Sequence, residues 1–381
     1  MKYSETVTLV LAILIAGCVS SEGPEPGAGI PEYQARIELT IGVADGDGAD
    51  VFGRIGGLLE LPDGRIVVSD VQANEIRVFS ESGEHLFTFG REGDGPGDLG
   101  SPCCLALGPE GLVWVREASN GRYSAFRVGP DEAEFVRALT MQHGAAGLWA
   151  PTTFDDEGLL VDVGARPSST GEGSERARFH LDDGGEVVLT EVSVPAALSD
   201  VGSHRVQVEI NGSPGLLYMW QPFASRAVSA HGPGERRALA LTGVYEIETW
   251  TGPSVDTLRG NVTEGPVLTA EERKTGQEAM ESDASRGGIR ASELPYDLPD
   301  RRTPLAQILY DDLGRLWVEL SVTRDSARVA DIWNPDGQLA GRVTWPYEVR
   351  LGVASWIGQT HALAVARDEL GVQRVVRLRW D

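Results

Sequence analysis

A turn glycine that recurs at a regular spacing is the feature that most constrains the fold of this chain. Gly64, Gly111 and Gly158 are 47 positions apart, and each lies between an apolar segment and a segment rich in β-branched or aromatic residues. The same pattern returns at Gly314. A period in the forties is the length of one four-stranded β-propeller blade. The spacing therefore predicts an all-β protein built from repeated blades.

Residues 58–90 contain one complete blade unit. Short apolar runs are separated there by the turn signals Pro62-Asp63-Gly64 and Ser82-Gly83, and such runs are typical of strands. Two further segments, around Gly234 and Gly358, each have a turn followed by Ala-Leu-Ala. With the four regularly spaced glycines they give six hairpins. We therefore predict a six-bladed β-propeller of four-stranded antiparallel blades.

The last predicted blade lacks a fourth strand, because the chain ends at Asp381 directly after the third strand at 374–380. The segment Arg36–Ile41 alternates polar and apolar residues and precedes the first blade. An N-terminal strand that completes the last blade closes the ring and removes two exposed edges. We therefore predict that this segment pairs with the last blade.

Two segments are too long for the blade period. Residues 198–221 fall between blades three and four, and form either an extra hairpin or an outer strand with a long loop. Residues 261–304 fall between blades four and five, and Thr269 with Glu272 matches a capping box. We predict a short surface helix from there towards Ser282, in an insertion that covers one face of the propeller.

The N-terminal residues predict export. Residues 1–17 contain an apolar run too short to span a bilayer, followed by Cys18 in Ile15-Ala16-Gly17-Cys18. This motif resembles a bacterial lipobox, which implies removal of the signal peptide and acyl chains on Cys18 that hold the protein at a membrane. The alternative is an ordinary secretory signal with an incidental cysteine. Val19 stands where an Asp would resemble an inner-membrane retention signal, so the outer membrane is favoured, on its periplasmic or surface side.

Residues 18–31 are rich in Gly, Pro, Ser and Glu and predict a flexible tether, so the propeller spans 32–381. The formal net charge of the chain is −24. Such a surface repels nucleic acid and anionic lipid headgroups, so we expect no nucleic-acid partner and membrane contact through the N-terminal lipid alone. The charge serves either solubility or the attraction of cations or a basic partner.

The first blade resembles the NHL-type repeat. Residues 62–70, PDGRIVVSD, are similar to the turn, second strand and closing Asp of that repeat, and residues 74–79 are similar to its Asn-x-x-Ile-x-Val-Phe run. From Glu32 onwards the chain resembles the six-bladed propeller lipoproteins of bacteria. The resemblance implies a six-bladed propeller but no single activity, since propellers include binding modules, lyases and lactonases.

Cys103 and Cys104 are adjacent, and with Cys18 lipidated they are the only remaining thiols in an oxidising compartment. A disulfide between neighbouring residues is a strained ring that can be reduced, and it could act as a switch. The alternative is two small residues buried at the start of an inner strand. The sequence leaves both interpretations open.

Candidate metal ligands are few. None of the six His has a His-x-x-x-His or similar spacing, so no metal site is predicted. Propeller lactonases hold calcium in the central channel with Glu, Asn and Asp, and the resemblance implies Glu60, Asp155 and Asp311 as comparable carboxylates. Each lies just before a turn glycine, where acidic residues are common for reasons of turn geometry. Calcium is therefore an alternative expectation, and the preferred one is no cofactor.

Five side chains are candidates for ligand contact. Trp149, Trp220 and Trp356 fall at blade junctions or loops, where an indole can stack on a ligand at the channel mouth. Arg91 and Arg116 fall beside loops between strands and could pair with an anionic ligand. The alternative for each is a capped loop or a solvated rim charge.

The sequence favours a binding platform for a small ligand or an envelope protein over an enzyme. The ligand is expected on the face where the inter-blade loops and the insertion gather. One alternative is a metal-dependent propeller enzyme, similar to lactonases or lyases, with a divalent cation in the channel. Another is an envelope assembly component whose acidic surface docks a basic partner. The sequence contains no nucleophile elbow or nucleotide-binding Gly-rich loop to indicate a reaction.

Overall fold

Turn glycines and the apolar strands between them build six blades in the computed structural model of this chain, which describes residues 29–141, 150–168, 173–210 and 213–381. The predicted signal peptide, Cys18 and all but the end of the predicted tether lie outside the described residues. Gly64, Gly158 and Gly314 have φ values of 84°, 83° and 72°, a region that favours glycine. This backbone requirement explains the recurring glycine, and the predicted six-bladed propeller is confirmed.

Two strands precede the first blade: β1 (Glu32–Gln34) and β2 (Arg36–Ile41). Blade one consists of β3 (Ile55–Glu60), β4 (Ile66–Asp70), β5 (Glu75–Phe79) and β6 (His85–Phe89). Blade two consists of β7 (Pro102–Leu107), β8 (Val113–Glu117), β9 (Arg122–Val128) and β10 (Ala133–Thr140). Blade three consists of β11 (Thr153–Phe154), β12 (Leu160–Pro167), β13 (Ser174–Leu181) and β14 (Val187–Val194). A short 3-10 turn, Pro109–Gly111, joins β7 to β8.

After the third blade come a short helix, α1 (Ala196–Ser199), and a hairpin of β15 (Ser203–Ile210) and β16 (Ser213–Trp220). Blade four consists of β17 (Ala227–His231), β18 (Arg236–Leu241), β19 (Glu246–Thr251) and β20 (Ser254–Arg259). Blade five consists of β21 (Leu305–Tyr310), β22 (Leu316–Leu320), β23 (Arg328–Trp333) and β24 (Leu339–Trp345). Blade six consists of β25 (Val349–Arg350), β26 (Trp356–Ile357), β27 (His361–Arg367) and β28 (Gln373–Arg379). The helix α2 (Ala270–Arg286) and a 3-10 turn, Ala291–Glu293, lie between blades four and five.

The N-terminal strands fasten the ring. As predicted, β2 pairs with β28 in antiparallel register, with Ile37 opposite Leu378 and Ile41 opposite Val375. β1, which the sequence analysis did not predict, pairs in parallel with β24, the outer strand of blade five. The first strands of the fold therefore connect blades five and six, and β2 supplies the outer strand that blade six lacks.

Apolar clusters fill most junctions between neighbouring blades. Trp114 and Trp317, at 1% and 2% exposure, belong to such clusters. At the junction of blades five and six, Trp317 meets Trp380 edge to face, with ring centroids 5.2 Å apart. Both faces of a blade are therefore buried, and β4 is buried at every position.

The two insertions pack against each other. We call the β15–β16 hairpin together with α2 the canopy. Val208 and Met219 of the hairpin form a buried cluster with Met280 of α2 and with Tyr296. The structure thus has the extra hairpin rather than an outer strand with a long loop. No helix within the described ranges is long and apolar enough to cross a membrane.

The helix begins as predicted at its capping box, and it continues to Arg286. The hydroxyl of Thr269 accepts from the Glu272 N–H, and the Glu272 carboxylate accepts from the Thr269 N–H. These bonds satisfy two of the N–H groups that a helix start leaves unpaired. The helix was expected to lie on the surface, but Gly276, Met280 and Ala284 are buried.

The junction of blades three and four contains a buried polar network. The Glu191 carboxylate of β14 contacts Arg178 and His180 of β13, at 3.3 Å and 3.2 Å, and Arg237 of β18. The hydrogen bond with His180 and the two arginines lower the pKa of Glu191 to about 2 against burial. Burial alone would lower the pKa of His180, but hydrogen bonds with Glu191 and Asp155 outweigh it and raise that pKa. The junction is thus held by paired charges.

Replacing Glu191 with Gln should lower the free energy of unfolding by about 3 kcal/mol near pH 6, because two buried arginines lose their carboxylate. The contribution of Glu191 is complete above its unfolded pKa near 4.5 and is lost as pH falls towards 2. That of His180 is complete below its unfolded pKa near 6.5 and is lost as pH rises through the raised folded value. Urea denaturation from pH 2.5 to 8 measures both.

The matched control is Asp183→Asn, which removes an exposed carboxylate paired with Arg137. It should change the free energy of unfolding by less than about 0.5 kcal/mol. Equal effects of the two substitutions, or a Glu191→Gln deficit that does not shrink between pH 4.5 and 2.5, would contradict the assigned role of Glu191.

Candidate functional site

The candidate site lies on the face of the ring where β21 begins, next to the canopy. Two cavities of about 450 and 330 Å³ adjoin there and share Arg226, Arg302, Ala306 and Ser321. Ala306 is the second residue of the inner strand β21. Arg302 lies at the end of the insertion between blades four and five. We call the two cavities together the arginine cavity.

Basic residues dominate the lining of the arginine cavity. It contains Arg226, Arg302, Arg328 and Arg350, while Glu319 is the only acidic residue among the described lining residues. Arg226 directly precedes β17 and Arg350 ends β25, so both stand where the chain enters an inner strand. Two of these four guanidinium groups have no carboxylate partner among the described residues, so the cavity is locally cationic in a chain whose formal net charge is −24.

Two of these arginines are already engaged by carboxylates. Arg328 donates to the buried Glu319 at 2.7 Å, and Arg302 donates through Nε to Glu272 at 3.0 Å. Arg226 and Arg350 have no carboxylate partner among the described residues. The Arg226 guanidinium donates one long hydrogen bond, of 3.4 Å, to the backbone carbonyl of Ala306. An anion in the cavity could therefore bind these two guanidinium groups without breaking an ion pair.

Arg302 is held in place by α2. Its partner Glu272 is 4% exposed and also belongs to the capping box. Burial acts to raise the pKa of Glu272, but the Thr269 N–H and Arg302 outweigh burial and lower it, so the carboxylate stays charged. The guanidinium carbon also lies 5.2 Å from the ring centre of Phe223. The canopy thus orients one cationic wall of the cavity.

Apolar and aromatic groups cover the canopy side. Trp220, Pro222, Phe223 and Leu305 line the larger of the two cavities. A cavity with cationic groups at one end and rings at the other suits a ligand that has an anionic group on an apolar body.

The predicted site residues are not brought together. Trp220 is 51% exposed and lines the arginine cavity. Trp356 lines a separate cavity at the opposite end of the channel, where its Nε1 donates to Asp312. Trp149 lies outside the described residues.

The two predicted arginines occupy other places. Arg91 is exposed and donates to Asp98 at 2.8 Å, which lowers the pKa of Asp98. Arg116 does not lie beside a surface loop: it is 1% exposed within β8, next to Tyr123 of β9. A ligand on the surface therefore cannot reach Arg116.

The carboxylates named as calcium candidates each have their own partners. They are hydrogen-bonded as follows: Glu60 with His361 at 2.8 Å, Asp155 with His180 at 2.6 Å, and Asp311 with Trp317 at 2.9 Å. No group of three or more His, Cys, Asp or Glu side chains suited to a metal occurs in the part of the chain that the structure describes. Calcium stays an untested expectation.

The sequence analysis missed the four arginines of the cavity. The available signal was position, since Arg226 and Arg350 come directly before or within the first residues of inner strands. Residues at the start of inner strands gather around the channel of a propeller. Arg302 and Arg328 have no such positional signal. Arg302 reaches the cavity because its insertion docks there and pairs it with Glu272. Arg328 reaches it through its ion pair with Glu319.

Cys103 and Cys104 are buried in β7, and their Sγ atoms are in bonding contact. Cys104 has a φ of 58°, and the β7–β8 register shifts between Cys103 and Ala106, so the pair sits in a bulge. The carbonyl of Cys104 accepts from the Thr152 hydroxyl of blade three. The disulfide stays a prediction, and its burial favours a structural bond over a switch that a reductant can reach.

The fold resembles those of several solved structures at low sequence identity. A protein of Bacteroides fragilis described as exported is 10% identical, with a TM-score of 0.49 over 93% of this chain and 99% of that chain. A DUF4221-family protein of Bacteroides vulgatus is 11% identical, with a TM-score of 0.48 over 93% and 99%. Regucalcin of Agrobacterium tumefaciens, a calcium-binding protein, is 10% identical, with a TM-score of 0.40 over 92% and 96%. No protein-family model and no curated protein matches the chain.

The burial of Cys103 and Cys104 gives a prediction for the purified chain. Without reductant, the intact mass should be two hydrogen atoms lower than that of the dithiol form, and an alkylating reagent should label neither residue. Reductant should expose both to labelling only after denaturation, because the pair is closed to solvent. A chain in which both thiols are labelled after denaturation without reductant would remove the disulfide.

Proposed function

We propose that this protein is an exported, lipid-anchored propeller of the bacterial cell envelope that binds a small organic anion in the arginine cavity. The observation that carries the proposal is the lining itself: four arginines around one carboxylate in a chain of formal net charge −24. Arginine presents planar pairs of donors that match carboxylate and phosphate oxygens.

The free guanidinium groups define how the anion is held. Arg226 and Arg350 supply the charge-assisted hydrogen bonds, and Arg302 completes the cationic wall from its fixed position beside Glu272. The apolar part of the ligand lies against Trp220 and Phe223. Because Arg226 and Arg350 are exposed, salt weakens this binding.

The envelope location rests on the N-terminal sequence. The lipobox-like segment that ends at Cys18 supports lipid attachment, and Val19 supports the outer membrane. The first strand of the fold, β1, lies at the outer edge of blade five beside β24.

Three alternatives have less support. A metal-dependent lactonase or lyase requires free carboxylates in the channel, whereas Glu60, Asp155 and Asp311 are each bound to other side chains. A protein partner in the envelope is supported by Leu216, Tyr218 and Trp220, which lie on one face of β16 and are each more than half exposed. An acidic surface that docks a basic partner rests on net charge alone.

The test compares three probes of one shape and different charge: phenylacetate, 2-phenylethanol and phenethylamine. Phenylacetate should raise the melting temperature of the purified full chain at low salt, and 2-phenylethanol should do so less. Arg350→Ala and Arg226→Ala should each weaken phenylacetate binding by about tenfold or more in calorimetry, because each removes a charge-assisted hydrogen bond. The matched control is Arg127→Ala, an exposed arginine of β9 outside the cavity.

Equal phenylacetate affinity in Arg127→Ala and in the two cavity variants would contradict the assigned site. If neither phenylacetate nor inorganic phosphate changes the melting temperature or gives a heat of binding, the small-anion proposal fails and the protein-partner alternative becomes the stronger one.

A further inference from the structure

A second cavity, of about 350 Å³, occupies the opposite mouth of the central channel, and all six blades contribute to its wall. We call it the channel-mouth cavity. Its lining includes one residue or more from each blade in turn: Leu58, Ala106, Phe154, His231, Tyr310 and Ile357. The wall is mostly apolar with a few polar groups, which is the usual composition of a small-molecule site.

The charge at the channel mouth is opposite to that of the arginine cavity. None of its described lining residues is Lys or Arg, while Asp311 and Asp312 are both present. Asp311 is fully engaged, because it accepts from Arg315 Nε at 2.6 Å and from Trp317 Nε1 at 2.9 Å. Asp312 accepts one side-chain hydrogen bond, from Trp356. One carboxylate is therefore available to a ligand.

The environment of Asp312 disfavours its charge in the absence of a cation. Asp312 is an exposed residue at the rim of the cavity, but the protein packed around its carboxylate partly desolvates it and raises its pKa to about 6. The hydrogen bond from Trp356 opposes this rise, whereas Asp311 and Glu60 add to it. At pH 7.5 the carboxylate is ionised, and a cation beside it would be strongly favoured.

A buried histidine belongs to the same wall. His231 is 5% exposed, and its Nδ1 has no hydrogen-bond partner among the described residues. Burial, together with Arg178 and Arg237, lowers its pKa to about 3, so the ring is neutral at pH 7.5. The histidine therefore adds no positive charge to the wall of the cavity.

We propose that the channel-mouth cavity binds a small organic cation, an ammonium group on an apolar body. The ammonium donates to Asp312, and the apolar body packs among Leu58, Ala106 and Phe154. A calcium ion fits less well, because calcium requires six to eight oxygen ligands and one free carboxylate is present.

The channel-mouth cavity and the arginine cavity are separate sites. Leu305 and Ala306, at the start of β21, line the arginine cavity, and Tyr310, at the end of the same strand, lines the channel mouth. Gln307 is the last residue of β21 that lines the arginine cavity, and three residues of extended strand separate it from Tyr310 by about 10 Å. The ring thus carries a cationic site on one face and an anionic site on the other, and either proposal can fail alone.

Calorimetry on the purified full chain at pH 7.5 with phenethylamine tests the proposal. Asp312→Asn should weaken phenethylamine binding by about tenfold or more, because it removes the charge and leaves the shape. The same variant should bind phenylacetate as the unmodified chain does. Asp183→Asn, an exposed carboxylate changed in the same way, is the matched control and should bind phenethylamine unchanged.

A second variant tests the cavity independently of its charge. Ala106→Leu fills part of the channel mouth and should also weaken phenethylamine binding, while the melting temperature reports whether the fold is kept. Equal phenethylamine affinity in Asp312→Asn, Ala106→Leu and the unmodified chain would overturn the proposal. So would a rise in melting temperature with calcium that is lost in Asp312→Asn, since that result would identify a metal site.

Discussion

Pairing of β2 with β28 joins the N-terminal part of the fold to the last blade, and the packing of every other blade depends on this contact. Each blade buries both faces against its neighbours, so a ring with one open junction would expose two apolar faces at once. The β2–β28 ladder places Ile41 beside Val375, within the cluster that joins blades six and one. β1 adds a second attachment on blade five, which spreads closure over two neighbouring blades.

The blades could be predicted from the sequence because each is set by local signals. The turn glycines, the third strand Arg328–Trp333 and the fourth strand His85–Phe89 follow from residues within a few positions of each other. β1 could not be predicted, because three residues of Glu-Tyr-Gln carry no strand pattern and pair only once blade five exists. The packing of α2 on the hairpin was missed for the same reason: Gly276, Met280 and Ala284 form a narrow stripe, and its partner lies more than fifty residues away in sequence.

The candidate site was less predictable than the fold because it depends on contacts between blades. Arg116, which the sequence placed beside a loop, is interior, whereas Arg226 and Arg350 gather at the cavity only when blades four and six take their places in the ring. The ion pairs between blades could not be predicted from the sequence either. Glu191 and Arg237 stand in different blades and 46 positions apart in sequence. They meet at the junction of blades three and four, whereas each of the other described junctions contains an apolar cluster.

A polar junction has a physical consequence that an apolar one lacks. The Glu191 network fixes Arg178 and Arg237 beside His231. Burial lowers the pKa of His231 most, and these two arginines lower it further, so the histidine stays neutral in the wall of the channel mouth. A charged His231 would repel an ammonium ion, whereas a neutral one does not. The same ion pairs that hold blades three and four together therefore also contribute to the electrostatics of the channel mouth.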